Sequence, residues 1–340
     1  MQRDMLKIPL VRGKFLFPFI EATCFSNREI ESLLMKNKLP IYLYGKQDCY
    51  VPLRNAVQFS DAARRMRGSY DVGYLLSKKI NFEYLSDKSQ SIINGSPDLY
   101  SALHNFSARA QIENTDLLIK IEFHGSFLRV CGSFKNTSAL QNIENFQWIN
   151  NLIFIEIVRQ FAGNDWMPEC MAFNAYYMPS DDVRAIWSRC KFTSAHREAW
   201  IEIPICYLSM PPINKKIFGK ENEIDVLNYS NSLIDALRLM LPSYLDGKVP
   251  TVFDIAEMAN ASTRSLQRAL ADSGLSYRGI LNEIKFNKAM HLLTDSDTKI
   301  VDVALSLGYS DAAHFTRAFQ KIAGVPPLRF RVFSKEMMLR

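Results

Sequence analysis

Ile255-Ala256-Glu257-Met258-Ala259-Asn260-Ala261-Ser262, continuing as Thr263-Arg264-Ser265-Leu266-Gln267-Arg268-Ala269-Leu270, returns later in the chain in a second version. That version is Val303-Ala304-Leu305-Ser306-Leu307-Gly308-Tyr309-Ser310, continuing as Asp311-Ala312-Ala313-His314-Phe315-Thr316-Arg317-Ala318-Phe319. Ala256 recurs as Ala304, 48 positions on, whereas Leu266, Arg268 and Leu270 recur as Phe315, Arg317 and Phe319, 49 positions on. A repeat of this kind organises the reading of everything around it. The one-residue slip falls at the turn, where Asp311 takes the capping role that Ser262 has in the first copy.

Each copy follows helix-turn-helix logic. A short helix carries a small residue, Ala256 or Ala304, where a second helix must cross closely. The tight turn wants a residue tolerant of positive φ, and Asn260 and Gly308 both qualify. Ser262 or Asp311 then caps the second helix. Leu266 and Leu270, like Phe315 and Phe319, share one face of that helix and are expected to pack on the first. The opposite face holds Arg264, Ser265, Gln267 and Arg268 in the first copy, and Ala312, Ala313, His314, Thr316 and Arg317 in the second. Arg pairs with guanine O6 and N7 and Gln with adenine, although Arg grips phosphate equally well. A helical hairpin with a solvated basic face accounts for one such unit as well as DNA reading does. Two units in register do not fit that plainer account.

Between the copies, Tyr277, Ile280, Leu281 and Ile284 recur at helical spacing, predicting a helix over Tyr277–Leu293. Its length is about 26 Å at 1.5 Å per residue. Successive major grooves on one DNA face lie about 34 Å apart. A rod of that size with a helix packed at each end suits two reading heads on one chain. Upstream, Leu233, Ile234, Leu237, Met240 and Leu241 form another helical stripe, ended by Pro242.

From about Leu227 to Arg331 the chain closely resembles the DNA-binding domain of AraC/XylS-type regulators. The pieces that carry the resemblance are Ser262-x-Arg264-x-Leu266-Gln267-Arg268, Ile300-Val301-Asp302-Val303-Ala304, Gly308-Tyr309-Ser310-Asp311, Phe315-x-Arg317-x-Phe319 and Gly324-Val325-Pro326-Pro327-Leu328-Arg329-Phe330-Arg331. The resemblance implies that the second helix of each unit enters the major groove, carrying DNA contact to Arg264, Ser265, Gln267 and Arg268 and to Ala313, His314 and Arg317. It also implies double-stranded promoter DNA as partner, contact with RNA polymerase, and a bacterial regulator in which activation is the commoner behaviour. Asn260 departs from the family, which usually has Gly there.

Pro211-Pro212 and the charged run through Lys220-Glu221-Asn222 predict a boundary. The expected domains are 1–212 for effector sensing or dimerisation, 213–223 as linker and 224–340 for DNA binding. The two helix-turn-helix units are placed at about 252–272 and 300–322. The fold class expected is an α+β N-terminal domain, a helical part plus a small antiparallel or mixed sheet covered by helices, then an all-α domain with two helix-turn-helix units joined by a linker helix.

In the N-terminal part, helical spacing covers Arg28–Met35, Leu53–Met66 and Leu99–Ala108. Ile119, Ile121 and Phe123 alternate with Lys120, Glu122 and His124 ahead of Gly125-Ser126, a two-residue hairpin turn that sets Phe123 opposite Leu128 and Ile121 opposite Val130. Trp148–Phe161 reads as a buried helix ended by Gly163. Met171–Tyr177 reads as a strand, Ser180 as the cap of a helix to about Cys190, and Trp200–Leu208 as a strand whose Pro204 argues for an edge position. This layout, with KNKLPIYLYGKQDCYVPLRNAVQFSDAARR and YDVGYLLSKK, resembles more weakly the arabinose-binding-like N-terminal domain of one AraC-type subgroup. That implies a sensing or dimerising role. The aromatics Tyr176, Tyr177, Trp187, Trp200 and Tyr207 with Arg189 and Lys191 cluster in sequence as a pocket for an anionic small molecule would, but at such spacing aromatics are more often core. No ligand residue is assigned.

Composition bounds the alternatives. The 340 residues are 48% apolar and 22% charged, those of an ordinary globular chain. Of the net charge of +6, residues from Lys248 onward hold 13 Lys+Arg against 9 Asp+Glu, or +4, which is compatible with nucleic acid. Cysteines at 24, 49, 131, 170, 190 and 206 show no zinc spacing, and no metal or cofactor is expected. The N-terminal stretch lacks the apolar core of a signal peptide, so a cytoplasmic, membrane-free location is expected. Cys190 and His196 are six apart, a spacing that allows a pairing as nucleophile and base. A core thiol beside an unrelated imidazole is the plainer account, no GxSxG, HExxH, P-loop or GxGxxG stands in the chain, and no enzyme activity is expected. A third reading makes the N-terminal part a homodimerisation module, with helix Trp148–Phe161 burying a second apolar face in a partner.

Overall fold

The computed structural model describes residues 6–22, 26–43, 49–66, 71–135, 143–174, 176–214, 232–295 and 298–338. Chain contacts group into two compact units: Pro9–Asn37 with Val51–Ser230, and Met1–Ile8 with Lys38–Tyr50 and Asn231–Arg340. The sequence drew 1–212 as one piece, whereas residues 38–50 group with the C-terminal unit. Of the expected linker 213–223, residues 215–223 lie outside the described residues.

The first unit runs β1 (Leu10–Arg12), α1 (Phe17–Ala22), α2 (Asn27–Lys36), β2 (Tyr50–Pro52), α3 (Leu53–Met66), α4 (Val72–Lys79), α5 (Asp87–Asn94), α6 (Leu99–Arg109), β3 (Leu117–His124), β4 (Phe127–Phe134), α7 (Glu144–Ala162), β5 (Cys170–Ala172), α8 (Asp181–Ile186), β6 (Lys191–Thr193) and β7 (Ala199–Pro204). Caps explain several helix starts. Ser26 and Glu29 form a capping box before α2, Asp98 accepts from the Ser101 N–H ahead of α6, and Ser180 accepts from the Val183 N–H ahead of α8. The β3–β4 hairpin has the expected register, with Phe123 opposite Leu128 and Ile121 opposite Val130, and Gly125 turns at φ 60°.

The sheet order is β3-β4-β7-β5-β6, with β5 and β6 parallel and the other pairs antiparallel. This corrects the edge position inferred from Pro204: β7 is the central strand. Proline is tolerated because it is the last residue of β7, and β5 pairs only with Trp200 and Ile201, so no ladder bond is asked of the missing N–H. Three further expectations were too long, the first being the strand Trp200–Leu208, which ends at Pro204 and passes into a 3-10 turn over Ile205–Tyr207. The strand begun at Met171 stops at Ala172, and the helix capped by Ser180 stops at Ile186. Strands β1, β2 and β6, of three residues each, carry too short a pattern to be read from periodicity.

Helix α7 is the centre of this unit. Every residue from Asn145 to Val158 is buried. It packs on β4 and β7 on one side and on α3, α4 and α6 on others. Buried amides fix its rotation: Asn145 Nδ2 donates to Ser60 Oγ at 3.0 Å, Asn151 Nδ2 to the Ala172 carbonyl at 3.2 Å, and Gln147 Oε1 accepts from the Asn174 N–H at 3.2 Å. The idea that Trp148–Phe161 offers a second apolar face to a partner is therefore wrong: the chain's own elements already cover that face.

The second unit contains α9 (Leu233–Met240), α10 (Val252–Met258), α11 (Thr263–Asp272), α12 (Tyr277–Asp295), α13 (Ile300–Ser306), α14 (Ala312–Ala323) and α15 (Pro327–Met338). The helix expected to stop at Pro242 gives way at Leu241 to a 3-10 turn over Leu241–Tyr244. Residues of the 38–50 segment fasten onto that turn, where Tyr244 Oη donates to the Lys38 carbonyl at 2.9 Å and Ser243 Oγ to the Tyr50 carbonyl at 3.3 Å. No described helix is long and apolar enough to cross a membrane.

Packing around α7 sets a first test. Gly73 on α4 lies so close that a Cβ there would stand 2.3 Å from Trp148 Cζ2, and Trp148 is 0% exposed and has no room to retreat. Gly73→Ala is expected to lower unfolding stability by about 1–3 kcal/mol, read from the urea midpoint. An unchanged midpoint would show that α4 and α7 are less tightly packed than this.

Candidate nucleic-acid interface

Both repeat copies turn the same way. In the first, the Ala256 carbonyl accepts from the Ala261 N–H at 2.8 Å, across Asn260 at φ 50°. In the second, the Ala304 carbonyl accepts from the Tyr309 N–H at 3.0 Å, across Gly308 at φ 71°. Each bond spans five residues and satisfies a carbonyl at a helix end that would otherwise be orphaned. Ala256 and Ala304 are 2% and 0% exposed, so the crossing helix leaves no space for a larger side chain. The slip lies between the turn and the cap. Ser262 follows Ala261 directly and accepts from the Ser265 N–H at 3.1 Å, whereas Ser310 intervenes before Asp311, which accepts from the His314 N–H at 2.7 Å. Those bonds, from His314 first and then Ser310, hold the Asp311 carboxyl below its ordinary pKa.

Leu266, Leu270, Phe315 and Phe319 are fully buried, as their spacing requires. The second unit rests on the C-terminal half of α12: Ala289, Leu293, Val303, Ala304, Leu307, Phe315 and Phe319 form one cluster, with Phe286 5.0 Å and Phe330 5.4 Å from the Phe319 ring. Ile280 and Ile284 are buried in the other half of the same helix, whose 19 residues run about 28 Å. That half of α12 packs on α9 and on the 3-10 turn over Leu241–Tyr244.

The residues singled out on the outer faces are where the pattern put them. Arg264, Gln267 and Arg268 are exposed on α11 and Ser265 is half-buried. Ala313, His314 and Arg317 are exposed on α14, with Ala312 and Thr316 half-buried. Arg264, Gln267, Arg268 and Arg317 have no ion-pair or hydrogen-bond partner among the described residues. His314 is steadied by Tyr309, whose ring meets it edge-on at 5.4 Å, and Lys285 Nζ lies 4.9 Å from the centre of the Tyr309 ring.

One supporting residue escaped the sequence reading. Lys38 Nζ sits 2.8 Å from Asp254 and 2.5 Å from Glu257, both on α10. Burial pushes the Asp254 carboxyl up, but hydrogen bonds from Lys38 and Thr251 outweigh it and hold the pKa at about 2. The pairing is therefore intact from the ordinary carboxylate range upward and is lost only as the pH falls toward about 2. Nothing in the sequence links positions so far apart.

The other candidate groups do not converge. Trp187 is buried with its Nε1 donating to Ser77 Oγ at 2.7 Å, Trp200 lies under the Arg129 guanidinium at 4.2 Å, Tyr207 packs near Trp166, and Tyr176, Arg189 and Lys191 are exposed. The suggested anionic pocket is thus dispersed, because these residues fall on different elements: Tyr176 lies between β5 and α8, Trp187 at the end of α8, Lys191 on β6, Trp200 on β7 and Tyr207 in the 3-10 turn Ile205–Tyr207. Cys190 and His196 are engaged separately. Burial pushes the thiol up to about 12, which opposes a nucleophilic thiolate, and His196 Nε2 lies 3.0 Å from Thr193 Oγ1.

Residues 255–332 match the family model described as a helix-turn-helix domain. Among curated relatives, the ornithine utilization regulator of Pseudomonas aeruginosa is 28% identical over 139 residues, 39% of this chain and 41% of that protein. The HTH-type transcriptional activator RhaS of Escherichia coli is 37% identical over 68 residues, 20% of this chain and 24% of that protein. The chain thus spans less than half the length of these relatives. The crystal structure of the transcriptional regulator CdpR from Pseudomonas aeruginosa covers 90% of this chain and 98% of its own at 16% identity, with a TM-score of 0.37.

The turn geometry sets a test. Asn260→Gly is expected to leave stability unchanged or slightly raised, while Asn260→Val is expected to lose about 1–2 kcal/mol by thermal unfolding, since a β-branched residue fits the left-handed region poorly. Equal behaviour of the two variants would remove the strained turn from the account.

Proposed function

We propose, from the premise that residues 255–332 are a helix-turn-helix domain of the AraC type, that this chain is a DNA-binding transcription regulator that reads two successive major grooves with one polypeptide. The observation that carries the reading is the pair of unpartnered, exposed arginines Arg268 and Arg317, set at matching places on α11 and α14 by two turns of the same geometry. Arg264, Ser265 and Gln267 complete the first reading face, and Ala313 and His314 the second. An exposed guanidinium with no internal partner loses nothing within the protein when it meets a phosphate or a guanine edge. The small side chains of Ala312 and Ala313 let the start of α14 approach the groove closely, and Asp311 is held at the helix start by its cap.

The first unit is the proposed site of effector sensing, and activation through RNA polymerase contact is the proposed outcome. That RhaS of Escherichia coli is a transcriptional activator favours that sign. The reading is tested by fluorescence anisotropy against the DNA upstream of the chain's own gene across a salt series. Wild type is expected to bind with a steep salt slope, and Arg268→Ala and Arg317→Ala each to lose about 1–3 kcal/mol where the arginine reads a base. Loss in only one variant would assign the other unit to backbone contact. Absence of binding to any DNA at low salt would refute the proposal.

A further inference from the structure

The outer edge of β3 is the one long strand edge of the first unit's sheet that pairs with no described strand. β3 is eight residues long and stands at the end of the order β3-β4-β7-β5-β6. A two-residue turn joins it to β4, with His124 opposite Phe127. In such a hairpin the residues flanking the turn exchange hydrogen bonds, so His124, Glu122, Lys120 and Leu118 bond inward to β4 while Phe123, Ile121 and Ile119 point N–H and C=O outward. An edge of this length is a template for another strand unless something blunts it.

The side chains say which strand fits. Lys120 and Glu122 flank Ile121 on one face and pair with each other along the strand. Placing a second copy of β3 antiparallel about a two-fold through Ile121 sets Lys120 opposite the second copy's Glu122, and Glu122 opposite its Lys120. These are non-hydrogen-bonded positions, where facing side chains come closest, at a Cα separation of about 4.5 Å. Ile121 then meets Ile121 at a hydrogen-bonded position, in phase with the outward-pointing backbone groups. On the other face, Phe123 is 65% exposed for so large an apolar ring and stacks at 6.2 Å on Tyr100, itself 40% exposed. In the same register Phe123 lands opposite the second copy's Ile119. Charge, hydrogen-bond phase and apolar surface all agree on one self-complementary register, as an isologous contact requires.

We propose that β3 is a homodimer interface, in which two copies pair antiparallel about Ile121 and join their sheets into one continuous sheet. The inference concerns the first unit and stands independently of what the second unit reads. It replaces α7, which is covered within its own chain, as the dimerising element.

The test is sedimentation velocity of the full chain over a micromolar concentration series, with charge-reversal variants. Lys120→Glu sets Glu against Glu across the axis and Glu122→Lys sets Lys against Lys, and each alone is expected to weaken self-association about tenfold. An equimolar mixture of the two variants sets acidic strand against basic strand and is expected to restore the dimer as a heterodimer. That recovery also shows that neither variant has lost its fold. A monomeric wild type, single variants that dimerise as wild type does, or a mixture that stays monomeric would each overturn the proposal.

Discussion

One backbone hydrogen bond, made twice, governs the C-terminal half of this molecule. The carbonyl of Ala256 or Ala304 is reached by an N–H five residues later, and the chain can close that bond only by passing through positive φ at Asn260 or Gly308. Once it does so, the cap residue stands at the start of the following helix and fixes where that helix begins. The alanine whose carbonyl accepts this bond is also the residue over which the second helix crosses, so the turn and the close packing are set by one position. The exposed faces of α11 and α14 follow from there, because burying Leu266 and Leu270, or Phe315 and Phe319, leaves a single face for the arginines.

The two units are joined by a continuous helix, and this matters mechanically. Ile280 and Ile284 near the start of α12 are buried where the helix packs on α9 and the 3-10 turn over Leu241–Tyr244, and Ala289 and Leu293 near its end are buried in the cluster of the second repeat copy, so neither end can rotate without exposing core. Lys38 adds a brace from far upstream, since its ammonium holds two carboxylates of α10 while its carbonyl accepts from Tyr244.

In the first unit the organising constraint is different. A helix buried on every side carries polar groups into the core, and α7 meets part of that demand with Asn145 Nδ2, Gln147 Oε1 and Asn151 Nδ2 bonded to neighbouring elements, while Asn145 Oδ1, Asn150 Nδ2 and Asn151 Oδ1 have no hydrogen-bond partner among the described residues. The same economy holds at the N-terminal strand, where the buried ion pair of Arg12 with Glu113 at 3.3 Å is completed by Ser86 and Ser89 hydroxyls donating to the same carboxylate. Such networks specify one arrangement, because any slip would strand a buried charge. They also use up the interior faces, leaving strand β3 as the surface where another chain finds unpaired backbone.

By itself the sequence determined the features whose cause is local. The two turns, their caps, the apolar stripes of α11, α12 and α14, and the β3–β4 register each depend on residues a few positions apart, and the repeat supplied a second, independent copy of the same signal. The exposed arginines were legible for the same reason, as the complement of a buried stripe. Tertiary structure alone decided whatever depends on distant partners. Pro204 marked a strand end and not a sheet edge, because the neighbour that would have needed its N–H stops two residues into the pairing. Lys38 became a brace of α10 although more than two hundred residues separate them. The aromatics gathered near 176–207 dispersed, since they fall on different elements, a loop, the end of α8, strand β7 and a 3-10 turn, each packed against different neighbours. Periodicity reports which side of an element is buried, and only the packed chain reports what lies against it.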